Sequence, residues 1–149
     1  FPDGLLADPE LRSEATGGLA SRVSVHGSVR QALYERQRSF ALQPGGAVLD
    51  GRDIGTVIAP EADVKLFVTA SIEARALRRW KEMRERGDDL DLTVIEADLR
   101  RRDERDRTRT EAPLRAADDA LTLDTSTLDR DGAVAAAIAL VEKRLRSAG

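Results

Sequence analysis

The segment Val64-Lys65-Leu66-Phe67-Val68-Thr69-Ala70-Ser71 decides the fold class, because an apolar run ends at a residue that commonly caps helices. Its first five residues predict a strand. Ser71 predicts the N-cap of a helix that runs to about Arg86 and is closed by Gly87. A strand that passes directly into a helix is the repeating unit of α/β proteins.

The rest of the chain repeats this alternation. Ala47-Val48-Leu49 predicts a buried strand, and Ala120-Leu121-Thr122-Leu123 predicts a third strand. The further predicted helices cover about 28–41, run from a capping-box pattern at Thr93 and Glu96 to just before Pro113, and begin near Asp129. We therefore expect an α/β fold with a parallel sheet.

Composition excludes several classes of protein. The 149 residues carry a net charge of −3, which argues against a protein that coats nucleic acid without sequence preference. No stretch approaches the roughly 20 apolar residues of a membrane span, and we expect no membrane partner. The absence of cysteine excludes disulfides and thiolate metal sites, and a cytoplasmic location is the simplest expectation. Because the chain opens with Phe1 rather than Met, we expect a fragment or a trimmed chain.

A dense arginine run occupies residues 100–109, with six arginines and three acids. On a helix, four of its side chains form one stripe: Arg102, Arg105, Asp106 and Arg109. Guanidinium groups bind phosphate through two parallel hydrogen bonds, so this stripe suits a phosphorylated, hydroxylated small molecule.

The simpler interpretation of the run is a solvated helix with surface ion pairs, Arg102 with Asp106 and Asp103 with Arg107. Taken alone, the run favours this interpretation. A second motif makes the ligand-binding interpretation the favoured one.

That motif is Asp50-Gly51-Arg52-Asp53-Ile54-Gly55-Thr56, which follows the predicted strand at 47–49. Ligands of parallel sheets bind beyond the carboxyl ends of the strands. An apolar strand that ends in aspartate resembles a Walker-B element, so Asp50 is a candidate for Mg²⁺ contact, directly or through water. Arg52 can hold a phosphate, and Asp53 can accept a hydrogen bond from an amino group or a hydroxyl. The alternative is a polar turn with a local Asp–Arg pair.

A phosphate-binding loop of the Gly-x-x-x-x-Gly-Lys-Ser/Thr type requires a lysine preceded by glycine. The three lysines of this chain follow Val64, Trp80 and Glu142 instead. The 149 residues therefore contain no such loop, and no ATP-phosphate residue is assigned.

Five blocks agree in order and spacing with one known family: Leu-Ala-Ser-Arg-Val-Ser (19–24), Val-Arg-Gln-Ala-Leu-x-x-Arg-Gln-Arg-x-Phe (29–40), Asp-Gly-Arg-Asp-Ile-Gly-Thr-Val (50–57), Ala-Asp-Val-Lys-Leu-Phe-Val-Thr-Ala-Ser (62–71) and Arg-Arg-Asp-Glu-Arg-Asp-Arg-Thr-Arg (101–109). Ala112-Pro113-Leu114 follows them. The chain resembles bacterial cytidylate kinase from about Leu11 onward, over roughly the C-terminal two-thirds of such an enzyme.

The resemblance implies a P-loop nucleoside-monophosphate kinase fold, a three-layer parallel sheet with helices on both faces, incomplete at the N-terminus. It implies transfer of the γ-phosphate of ATP to CMP or dCMP in the presence of Mg²⁺, by a monomer. Residues 1–27 correspond to the rest of the CMP-binding insert, and residues 28–149 to the core with a lid at about 100–114.

The site residues follow from the same resemblance. Ser21, Arg30 and Asp53 resemble groups that recognise cytosine. Arg52 and Arg109 resemble ligands of the CMP phosphate, whereas Arg102 and Asp106 resemble groups near the pentose and the transferred phosphate. The residues implied in catalysis are thus Arg52, Arg102, Asp106 and Arg109.

The family's first strand, its ATP loop and the helix after it have no counterpart here, so we expect the isolated chain to be inactive as a kinase. Two alternatives to the enzyme stay open at this point. One is a non-catalytic module that binds CMP or phosphate. The other is an arginine-rich interaction module.

Overall fold

The computed structural model describes residues 11, 14–23, 26–108 and 114–148. The chain forms two compact units, Phe1–Val48 and Leu49–Gly149. The first unit contains helices α1 (Glu14–Val23) and α2 (Gly27–Ala41). The prediction of a helix over about 28–41 is confirmed by α2.

The second unit alternates strands and helices. After a π-helical turn at Ile54–Ile58, its elements are β1 (Leu66–Thr69), α3 (Ile72–Glu85), α4 (Leu92–Thr108), β2 (Leu121–Asp124) and α5 (Arg130–Ala148). Among the described residues, no helix combines the length and apolar character that a membrane crossing requires.

Strands β1 and β2 pair in parallel, with Leu66 opposite Leu121 and Thr69 opposite Asp124. The predicted strands at 64–68 and 120–123 and the parallel sheet are thus confirmed. The carboxyl ends of both strands reach the same edge, where the Ser71 N–H donates to Ser126 Oγ at 2.8 Å. The Ser71 hydroxyl accepts from the Ala74 N–H at 3.1 Å, as expected of an N-cap.

The prediction of a buried strand at Ala47-Val48-Leu49 is wrong. The segment is not a strand, and Val48 is 94% exposed. A strand is stable only beside a neighbour that accepts its backbone hydrogen bonds. Within the described part of the chain, the sheet consists of β1 and β2 alone, and neither pairs with this segment. Asp50 therefore follows a segment without regular secondary structure rather than a strand end.

The start of α4 also differs from its prediction. The helix begins at Leu92, and Asp91 rather than Thr93 caps it. One Asp91 carboxylate oxygen accepts from the Thr93 N–H at 2.8 Å and from the Thr93 hydroxyl at 2.7 Å. Aspartate competes well for this position, because its carboxylate satisfies backbone donors that the first turn leaves unpaired.

The core of the second unit is small and aliphatic. Its buried apolar residues among those described are Ile58, Ala59, Ala76, Ile95 and Leu123. Helices α3 and α4 pack together, and each contributes one of these buried residues, Ala76 on α3 and Ile95 on α4. This contact fixes the first half of α4, which leads into the arginine run.

Lys65, just before β1, connects three segments. Its ammonium donates to the Pro60 carbonyl and to both carboxylate oxygens of Asp119, at 2.8 and 2.7 Å. Its side chain is only 8% exposed. The Lys65 side chain thus holds the turn at 54–60 and the segment before β2 against the start of β1.

We expect Lys65→Met to lower the free energy of unfolding by about 1–2 kcal/mol, because charge-assisted hydrogen bonds are lost. Lys65 lowers the pKa of Asp119. The stabilisation is therefore present above the unfolded aspartate pKa and is lost as the pH falls through the lower folded value. Urea unfolding at pH 7 and pH 3 measures this. An unchanged urea midpoint at pH 7 would show that Lys65 does not hold these segments.

Candidate functional site

The turn that carries Arg52 and Asp53 is organised around one carbonyl. The Asp53 C=O accepts backbone N–H groups from Thr56, Val57 and Ile58, at 3.3, 2.8 and 3.2 Å. The Ala59 N–H closes the turn on the Ile54 carbonyl at 2.7 Å. Single π-helical turns are rare and often occur at functional sites. Here the turn fixes the backbone from which Arg52 and Asp53 project.

Two glycines permit this turn. A Cβ on Gly51 would lie 2.9 Å from Cγ1 of Ile54, and a Cβ on Gly55 would lie 3.3 Å from Cδ of Lys65. Both spacings are tighter than ordinary van der Waals contact. The glycines of the motif thus allow close packing of the turn on itself and on the chain that enters β1.

An ion pair joins the turn to the arginine helix. Arg52 Nε lies 3.0 Å from an oxygen of Asp106, whose side chain is only 7% exposed, whereas that of Arg52 is 38% exposed. A buried carboxylate is costly unless a cation and hydrogen bonds compensate it. Arg52 supplies this compensation while its side chain stays partly exposed to solvent. The structure therefore brings two of the predicted residues together.

Asp106 and Arg102 are both on α4 but differ in burial. Asp106 is buried, whereas Arg102 is exposed, as are Arg105 and Arg107. The surface pairs of the simpler interpretation do not describe the inward contacts, since Asp106 pairs with Arg52 and Asp103 pairs with Arg75. In this part of α4, Asp103 and Asp106 thus face inward, whereas the three arginines are exposed.

The other predicted residues are distributed over both units. Ser21 is part of α1 and Arg30 part of α2, both in the first unit, and Arg30 is half-buried. Asp53 is half-buried and Asp50 is exposed, both in the second unit. Arg109 lies outside the described residues.

Two arginines on the inward face of α3 make contacts that none of the sequence motifs indicates. Arg75 binds Asp103, and Arg78 donates to the Thr125 and Leu128 carbonyls. The available signal was their position one and two turns after Ser71. That position places them near the carboxyl edge of the sheet, where other segments end.

Asp50 is the residue of the motif that is a candidate for contact with Mg²⁺. The described residues contain no group of three or more His, Asp or Glu side chains placed to hold an ion. Mg²⁺ in phosphoryl-transfer sites usually relies on one or two carboxylates, several waters and the substrate phosphates. The exposed carboxylate of Asp50 fits a contact through water.

A concavity of about 540 Å³ lies beside the start of α4, lined by Leu77, Trp80, Asp89, Leu90, Asp91 and Leu92. Its lining includes neither Arg52 nor Asp106. Arg84 stacks over the Trp80 ring, 4.9 Å from the centroid. Because its charged lining residues are acidic, this concavity does not suit a phosphate.

The comparisons with known proteins agree with one another. A family model described as "Cytidylate kinase" matches residues 3–143. The cytidylate kinase of Xanthobacter autotrophicus (strain ATCC BAA-1158 / Py2) is 59% identical over 138 residues, which cover 92% of this chain and 66% of that protein.

Two further relatives show similar coverage. The cytidylate kinase of Rhodopseudomonas palustris (strain HaA2) is 55% identical over 93% of this chain and 66% of that protein. That of Cereibacter sphaeroides (strain KD131 / KCTC 12085) is 59% identical over 93% of this chain and 68% of that protein. The chain thus spans slightly less than two thirds of the length of the first two relatives.

Proposed function

Because this chain belongs to the cytidylate kinase family, we propose that the protein transfers the γ-phosphate of ATP to CMP or dCMP, giving CDP or dCDP. The observation that carries the proposal is the Arg52–Asp106 ion pair, which joins the Asp50-Gly51-Arg52-Asp53 turn to the arginine helix. The two alternatives, a non-catalytic binding module and an interaction module, are not favoured by the relatives' names. Turnover of ATP with CMP tests the proposal.

The proposed roles follow from charge and position. Phosphoryl transfer depends mostly on positioning and on stabilising charge over the transferred oxygens, a task for guanidinium groups. Arg52 and Arg109 hold the CMP phosphate, and Arg102 stabilises the phosphate in transit. Asp106 orients Arg52 through their ion pair and accepts from the pentose. No histidine base is needed, because the acceptor is already an anionic phosphate.

The finer architecture is part of the same proposal. The two-stranded parallel sheet belongs to a three-layer sheet with helices on both faces. Residues 100–114 act as a lid that closes over the phosphates and excludes water. Ser21, Arg30 and Asp53 are each proposed to contact the cytosine base. Mg²⁺ enters as the MgATP complex, and Asp50 contacts it only through water. That the protein is a monomer and lies in the cytoplasm stays a prediction.

We expect Asp53→Ala to weaken the binding of cytidine nucleotides far more than the binding of inorganic phosphate. The Asp53 carboxylate is proposed to accept from the base, and loss of one such hydrogen bond to a charged group costs about 1.5–3 kcal/mol, or roughly 10- to 150-fold in Kd. Calorimetric titration with CMP and with phosphate measures both affinities.

Asp63→Ala is the matched control, since Asp63 is an exposed aspartate in the same unit. Equal losses of affinity for CMP and for phosphate in Asp53→Ala would show that Asp53 does not recognise the base. The phosphate affinity also reports whether the neighbouring Arg52 remains in place.

A further inference from the structure

Helix α4 has two chemically different halves. The first half carries the apolar residues Leu92, Ile95 and Leu99, and Ile95 is 3% exposed. Residues 100–108 contain no apolar side chain at all. The first half is thus held against α3 by hydrophobic packing, but the second half, which carries the arginines, must be held in another way.

Two inward-facing carboxylates hold the second half of α4 in place. Asp103 is 17% exposed and Asp106 is 7% exposed at the side chain. Each has a guanidinium partner from a different segment, Arg75 on α3 and Arg52 just before the π-helical turn. An exposed pair between Arg100 and Glu73, 3.5 Å apart, adds little because both side chains are more than half exposed.

The Arg75–Asp103 contact has two points of attachment. The two terminal nitrogens of Arg75 donate to the two carboxylate oxygens of Asp103 at 2.9 and 2.5 Å. This planar fork fixes direction as well as distance. The pairing also lowers the pKa of Asp103, so the carboxylate stays ionised at neutral pH.

Arg75 is itself well anchored. It lies four residues after the N-cap Ser71, which is bound to Ser126 at the carboxyl edge of the sheet. Asp103 directly follows Arg102 and precedes Asp106 by three residues on α4. Rotation of this half of α4 about its axis would displace both neighbours, and the Arg75 fork opposes that rotation.

We infer that Arg75 is a positioning residue, which acts through Asp103 to fix the orientation of the arginine half of α4 and thereby places Arg102 and Asp106 for phosphoryl transfer. The inference rests on the proposed function for its catalytic consequence. Arg75 binds no substrate atom in this account. Its role differs from that of Arg52, which contacts the phosphate directly.

The test is a double-mutant cycle on the protein at its full encoded length, with Arg75→Met, Asp103→Asn and both together. Each single variant should lower kcat for CMP by about 10-fold, since small misplacements of catalytic groups cost one to two orders of magnitude. The double variant should lose no more than either single one. KM for ATP should be unchanged, and Arg75→Lys should recover only part of kcat because an ammonium cannot make the two-point contact.

Hydrogen–deuterium exchange provides a readout that does not depend on activity. Amides of residues 100–108 should exchange faster in Arg75→Met, whereas those of residues 92–99 should not. Glu73→Gln, which affects the exposed pair of the same helices, is the control and should match wild type in both assays.

The outcomes separate the two claims. Wild-type kcat in Arg75→Met, multiplicative losses in the double variant, or unchanged exchange over 100–108 would each overturn the role of Arg75. A wild-type protein without turnover would instead overturn the proposed function, and the exchange data would still decide whether Arg75 orients the helix.

Discussion

Replacing Arg52 by glutamine should lower kcat/KM for CMP by about 10³-fold and the free energy of unfolding by about 2 kcal/mol. The kinetic loss is expected because a preorganised cation that faces a phosphate is removed. The stability loss is expected because the buried carboxylate of Asp106 loses its partner at 3.0 Å. Arg52 is 38% exposed, so water can replace part of its interaction, and the loss stays below that of a fully buried pair.

Steady-state kinetics and urea unfolding measure the two effects on the same protein. Arg146→Gln is the matched control, since Arg146 is a 71% exposed arginine that pairs with Glu142 one turn away on α5. It should change neither quantity appreciably. Wild-type stability in Arg52→Gln would mean that Asp106 does not depend on this pair.

Replacing Arg102 by glutamine should lower kcat by about 10³-fold while the unfolding free energy stays within about 0.5 kcal/mol of wild type. Arg102 is exposed, so its removal exposes no apolar surface. An arginine that reaches the transferred phosphate only during the reaction contributes to the transition state rather than to the resting structure.

The neighbouring variant Arg101→Gln controls for general charge. Arg101 is 74% exposed and pairs with Asp98 within α4, so it carries a similar charge on the same helix. Its kcat should remain within about twofold of wild type. Equal losses at Arg101 and Arg102 would indicate a general electrostatic effect of the run rather than a placed catalytic group.

The comparison of Arg52 with Arg102 shows what sequence could and could not predict about the site. The periodicity of residues 100–109 predicts that Arg102 and Asp106 lie on neighbouring parts of one helix face. It does not predict that Asp106 is buried, because the partner that compensates the charge lies in a turn more than fifty residues earlier. The Arg75–Asp103 contact, across 28 residues, escapes local reasoning for the same reason.

The fold, too, has parts that local sequence predicts and parts that it does not. Strand β1 and the Ser71 cap follow from local chemistry, since an apolar run and a capping hydroxyl act within a few residues. The segment 47–49 has the same apolar character as β1 but pairs with neither strand in the described part of the chain, so it is not a strand of the sheet. Strand formation depends on non-local pairing, which residue type alone does not determine.

Whether the protein is a CMP kinase is decided by turnover at its full encoded length, with MgATP as donor and with CMP, dCMP, UMP or AMP as acceptor in separate reactions. Chromatography of the nucleotide products identifies the acceptor. We expect CDP from CMP and dCDP from dCMP, each in one-to-one ratio with ADP, and loss of both products in Arg52→Gln. Absence of CDP, or phosphorylation of AMP in preference to CMP, would contradict it.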